Sequence, residues 1–225
     1  MKLFKNIKNW LENQEHLFYL FLFILIVPNM VLCFTEPLPF MAKVANVLLP
    51  FGCYYLLMTL SRNCGKMLWI LFLFLFFGAF QIVLLYLFGQ SIIAVDMFLN
   101  LVTTNSSEAL ELLDNLTPAI IAVIILYVPA LILGMISIIR KRKLTVEFIR
   151  RERKRAFLVF GISLLSLVGA YVQDSGYELK SDLYPLNVCY NVGLAFQRTA
   201  LTQDYHRTSK DFTFHARPTH PEGKR

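Results

Sequence analysis

The chain has 225 residues, 56% of them hydrophobic and only 16% charged, with phenylalanine at 20 positions. That balance leaves too little polar surface for a water-soluble domain and places the chain among integral membrane proteins. The net charge of +7 does not point to nucleic acid. Nine of the 22 Lys and Arg residues fall within residues 140–155, wedged between two apolar runs, where a basic cytoplasmic loop is expected.

In chain order, residues 1–16 form a short amphipathic lead carrying Lys2, Lys5 and Lys8. Residues 17–34 are the first apolar run, about 18 residues and just long enough to span, with Pro28 inside it. No small-residue cleavage site follows, so this run is expected to persist as a helix. Pro37 and Pro39 end it. Residues 39–60 are the second run, with Lys43 near one end and Pro50 inside, and residues 67–87 are the third. Thr117 and Pro118 read as N-cap and first helical position of a fourth run, 118–139, and residues 156–172 are the fifth. The expected fold is therefore all-α, integral to the membrane, with five transmembrane helices.

Between the third and fourth runs lies a polar segment, residues 91–117. It carries Asp96, Glu108, Glu111 and Asp114 and no Lys or Arg. Asn100, Thr104 and Glu108 recur every four residues, which on one helix puts an amide, a hydroxyl and a carboxylate on one face. A carboxylate can hold a primary ammonium, and an amide and hydroxyl can donate to phosphate oxygens, a set that suits a zwitterionic lipid headgroup. The competing structural reading takes Asn105 to Glu108 as a capping box that starts a helix at Ser106.

The basic residues cluster on alternate connections, so the positive-inside rule puts the N-terminus in the cytoplasm. Segment 91–117 and the tail 173–225 then lie on the outer side of the membrane. In the tail, Tyr184 to Asn187 reads as a helix start. Val188, Val192, Phe196 and Ala200 then recur every four residues, which suits a helix lying in the interface or docked on a soluble domain. Inside the apolar runs the strongly polar side chains are the neutral amides of Asn29, Asn46 and Gln81, which argues against an ion or proton transporter. Cys33, Cys53, Cys64 and Cys189 show no metal or disulfide spacing, and His215 and His220 have no companion ligands, so no metal site is expected.

Five spans, an outer loop after the third, and Asn100, Thr104 and Glu108 within it resemble the membrane domain of bacterial phosphoethanolamine transferases. These are the lipid A modifying enzymes and their mobile colistin-resistance relatives, of the sulfatase-like superfamily. Residues 100–113 and 184–212 are similar to members of that family. The resemblance implies that the chain binds phosphatidylethanolamine through Asn100, Thr104 and Glu108 and supports transfer of phosphoethanolamine to lipid A or core sugar. In the family a zinc-dependent soluble domain performs that transfer through a covalent phosphothreonine. Neither the nucleophilic threonine nor the zinc ligands have counterparts among these residues. The resemblance thus implies a truncated form with no catalytic residue and no cofactor of its own, inactive without a separate catalytic domain. The rival reading is a non-enzymatic membrane scaffold whose tail recruits a periplasmic partner.

Overall fold

A computed structural model describes residues 10–88 and 106–209, with side chains for 10–86 and 116–205. Its elements are α1 (Gln14–Thr35), α2 (Phe40–Met58), α3 (Cys64–Ile70), α4 (Phe72–Phe88), α5 (Ser106–Ile139), α6 (Val146–Gln173), α7 (Leu179–Asp182) and α8 (Leu186–Ser209). The described residues contain no strand. Four helices are long and apolar enough to cross a membrane, five if the bent α3–α4 pair counts as one span, and the chain is a multi-pass membrane protein.

The spans run up and down. The most extensive packing is between α2 and α6, while α5 lies against α3 and α4, and α1 touches α2, α4 and α5. α1 is central: Leu17, Phe18, Phe21, Leu22, Leu25 and Ile26 are buried. Large apolar side chains on the outer faces of α5 and α6 are exposed, including Ile125, Ile132, Leu158 and Leu165. Such faces suit contact with lipid rather than water.

Three helices depart from the sequence-based boundaries. α5 runs unbroken through Pro118, so Thr117 and Pro118 do not open it; the helix already extends from Ser106. Proline is tolerated inside membrane helices, where neighbouring groups re-satisfy the freed backbone. The expected single third span is broken: α3 and α4 meet at 63°. Leu71, at the break, has φ −86° and ψ 11° and is buried in the core, and no proline or glycine adjoins it. Nothing in the local sequence accounts for the bend.

The third departure is α6, which begins at Val146 rather than near residue 156. Its start is built locally. Thr145 Oγ1 accepts from Phe148 N at 3.2 Å, and Glu147 sits in the first turn beside the positive end of the helix dipole. Phe148, Ile149, Glu152 and Ala156 are buried at helical spacing, so this part of the expected basic loop is three turns of packed helix. Glu152 is fully buried yet paired. It accepts from Tyr55 Oη, from Arg151 Nε at 2.8 Å and from Arg155 Nη1 at 3.0 Å. Both arginine side chains stay more than half exposed, so the buried charge is neutralised from the water side.

At the same end, the α2–α3 and α5–α6 connections are stitched together. Leu144 N donates to Arg62 O at 2.7 Å, and Arg62 Nε donates to Leu144 O at 2.9 Å. Asn63 Nδ2 reaches both Ser137 O and Arg142 O. Below this stitch α3 and α5 come into backbone contact. A Cβ on Gly65 would lie 2.2 Å from the Gly134 carbonyl oxygen. Gly65→Ala should therefore push the helices apart and lower the melting temperature of the detergent-solubilised protein, at a cost of about 1–3 kcal/mol or more. Gly161, on the open face of α6, has nothing within 4 Å of its would-be Cβ. Gly161→Ala should be neutral or stabilising by up to about 1 kcal/mol in the same melt.

Candidate functional site

The segment that follows α6 returns to the opposite end of the bundle and is held there by the spans' own amides. The local cause is Pro50 in α2. Proline has no N–H, so the carbonyl four residues back, that of Asn46, loses its helical donor. Asn29 of α1 supplies one: its Nδ2 donates to Asn46 O at 2.9 Å and to Tyr184 O at 2.7 Å. Asn46 continues the chain of bonds. Its Nδ2 donates to Asp182 O at 2.6 Å, and its Oδ1 accepts from Tyr177 Oη. Gln173 Oε1 accepts from Met41 N at 2.7 Å at the start of α2. Asn29, Tyr177, Tyr184 and Asn187 are all 2% exposed or less. Tyr184, Val188, Leu32, Leu84 and Leu85 form an apolar cluster around this latch, with Val192 at its edge.

The side chains that tie the latch to the spans are neutral amides and phenols. Burial raises the Tyr177 phenol above its ordinary pKa, with the Asp182 carboxylate adding in the same direction, and burial does the same to Tyr184. Both stay protonated and able to donate through the physiological range. The latch is not fully paired: Asn29 Oδ1, Tyr127 Oη and both polar atoms of the Asn187 amide have no hydrogen-bond partner among the described residues. No cluster of three or more His, Cys, Asp or Glu able to hold a metal occurs among the described residues. The latch offers donors and acceptors but no nucleophile.

Of the three residues singled out in the polar segment, Asn100 and Thr104 lie outside the described residues. Glu108 lies in the first turn of α5, and its side chain is outside the described set. Asn105, the proposed cap, is likewise outside. The two helices that bound the segment end at the latch end of the bundle: α4 finishes at Phe88, and α5 runs from Ser106 to Asn63's partner Ser137 at the basic end. In the tail, α8 starts at Leu186, and the expected stripe is only half used. Val188 is buried and Val192 half-buried, whereas Phe196 and Ala200 are exposed. In the sequence Asn29 and Asn46 stand out only as neutral amides, which argues against transport. Pro50 four residues after Asn46 was the readable sign that one carbonyl needed an outside donor. Tyr177 and Gln173 carried no such sign.

Comparison with protein-family models, with curated proteins and with solved structures finds no match for this chain.

The pairing of Asn29 with the Pro50 gap is testable by a double-mutant cycle. Asn29→Leu should destabilise the protein by about 1–3 kcal/mol, because it leaves buried carbonyls without donors. In a Pro50→Ala background the restored N–H can serve Asn46 O, so the same substitution should cost measurably less. Equal costs in both backgrounds, read from thermal unfolding in detergent, would mean the amide does not serve that carbonyl.

Proposed function

We propose that the chain is the membrane domain of a phosphoethanolamine transferase and that residues 91–117 receive the headgroup of phosphatidylethanolamine. The observation that carries the reading is positional. The helices flanking this acidic, cation-free segment end at the same pole of the bundle as the docked tail, opposite the nine cations of residues 140–155. In the proposal this pole faces the periplasm, Glu108 pairs with the lipid ammonium, and Asn100 and Thr104 donate to its phosphate. The resemblance of residues 100–113 and 184–212 to that family supports the same assignment. Zinc and the threonine that would carry phosphoethanolamine covalently belong, in this reading, to a soluble catalytic domain acting with this one on lipid A or core sugar.

A second reading has its own observation. Beyond its first turns α8 leaves the bundle with Phe196, Leu201 and Tyr205 more than 60% exposed. A scaffold that recruits a partner through this helix would use the same residues.

Native mass spectrometry of the detergent-purified chain tests the headgroup role. Glu108→Gln should weaken phosphatidylethanolamine binding several-fold, since an interfacial ion pair contributes about 1 kcal/mol while water remains. Gln still fills the third position of a capping box, so unchanged binding by this variant would leave Glu108 a purely structural residue. Orientation is tested separately. A reporter fused within residues 140–155 should register cytoplasm, and one fused after residue 205 should register periplasm; the reverse pattern removes the proposed site from the substrate's side.

A further inference from the structure

At the basic end, the first turns of α6 divide their cations between two faces. Arg151 and Arg155 are taken up by Glu152. Val146, Arg150, Arg153, Lys154 and Phe157 fall at helical spacing on the other face, and with Arg62 from the α2–α3 connection they line an open groove of about 480 Å³. No carboxylate lines it. Glu147 lies in the adjoining hollow, which it shares with Arg150, Arg151 and Lys154.

The groove is built rather than incidental. Arg62 is fixed by its bond to Leu144 O, and Arg153 by a bond from Nη2 to Thr59 O at 2.9 Å. Each guanidinium keeps further N–H groups with no partner among the described residues. Arg150 and Lys154 are exposed and make no ion pair or hydrogen bond there at all. Beside these charges Val146 is 47% and Phe157 61% exposed, and Phe157 stands at the start of the apolar run 156–172.

The groove therefore asks for an occupant that is anionic where it meets Arg62, Arg150, Arg153 and Lys154, and apolar where it meets Phe157. We infer that it holds the phosphate of an anionic phospholipid from the leaflet at the basic end, with an acyl chain lying along the outer face of α6. A zwitterionic lipid is the wrong occupant, because its ammonium would be brought among four cations. The bound phosphate bridges the α2–α3 connection and α6, and so clamps the pair of helices with the most extensive contact in the bundle. The inference is independent of the headgroup proposed for the opposite pole, which is a different lipid in a different leaflet.

Arg150 and Lys154 make the test clean, since removing them breaks no bond within the protein. The full chain in detergent is titrated with phosphatidylglycerol and with phosphatidylcholine, and bound lipid is read by native mass spectrometry and by thermal stabilisation. Wild type should retain one phosphatidylglycerol roughly tenfold more tightly than phosphatidylcholine, and Arg150→Gln with Lys154→Gln should abolish that preference and the accompanying stabilisation. Lys141→Gln with Lys143→Gln removes the same charge from the same basic segment outside the groove and should leave both intact. Glycerol phosphate, which carries at least the headgroup's negative charge but no acyl chain, should not displace the lipid. The inference is overturned if wild type shows no preference, if the two double variants lose it equally, or if glycerol phosphate alone competes.

Discussion

One missing hydrogen bond shapes the latch end of this protein. Pro50 deprives Asn46 of its helical donor in a place where water cannot supply another. An unpaired carbonyl in an apolar interior costs more than a typical bond contributes, so a partner must come from elsewhere in the chain. Asn29 provides it, and a carboxamide carries two N–H groups. The second reaches the carbonyl of Tyr184, and the requirement set by one proline thereby fixes the tail to the bundle. Asn46 repeats the device on its own account, holding Asp182 and Tyr177. Two neutral amides thus anchor the return segment, with no buried charge to desolvate.

The basic end meets the same rule with different groups. There Leu144 N donates to the Arg62 carbonyl, the Arg62 guanidinium donates to the Leu144 carbonyl, and Asn63 closes the carbonyls of residues 137 and 142. Charge is admitted only where water can share it. Glu152 is sealed in the packing, but the arginines that neutralise it hold their side chains partly outside. What remains is an uneven distribution of cations around α6, one face neutralised by Glu152 and the other lining a groove that holds no carboxylate. The groove follows from that distribution rather than from the total charge.

Much of the fold was legible because hydrophobic runs of spanning length admit few solutions in lipid. The first two spans agree with α1 and α2 to within a few residues. The beginning of α6 was missed although its signal was present: Phe148, Ile149, Glu152 and Ala156 repeat as a helix face, but a glutamate among arginines reads as solvated until its partners are known. The continuity of α5 was missed because Thr117 and Pro118 make a good local helix start, and local preference yields to a helix already under way. The α3–α4 bend has no mark in the sequence. Of the candidate site, Pro50 with Asn46 was readable as a deficit, but its remedy lay seventeen residues earlier, in another helix, and only packing joins them. Asn100 and Thr104 belong to residues outside the described set, so the loop reading rests on spacing and resemblance.

The length of α5 constrains how the proposed loop can meet a lipid. At about 1.5 Å per residue its 34 residues extend about 50 Å, whereas the hydrocarbon core is about 30 Å thick. The apolar run of α5, residues 118–139, is long enough to fill the core by itself, so the preceding turns, which carry Glu108, Glu111 and Asp114, project beyond it at the latch end. On that rise Asp114 stands about 3 Å, Glu111 about 7–8 Å and Glu108 about 12 Å past Leu116 along the axis. The headgroup layer itself is only about 5–8 Å deep on each side. A phospholipid seated normally in its leaflet meets the levels of Asp114 and Glu111 first. One that engages Glu108 must be lifted partly out of the leaflet, or the helix must tilt steeply. Lifting would cost burial of acyl chain, which the surrounding apolar surface of α4, α5 and α8 would have to offset. In the transferase reading that displacement has a use: it brings the phosphate clear of its neighbours, where an enzyme domain outside the membrane can attack it.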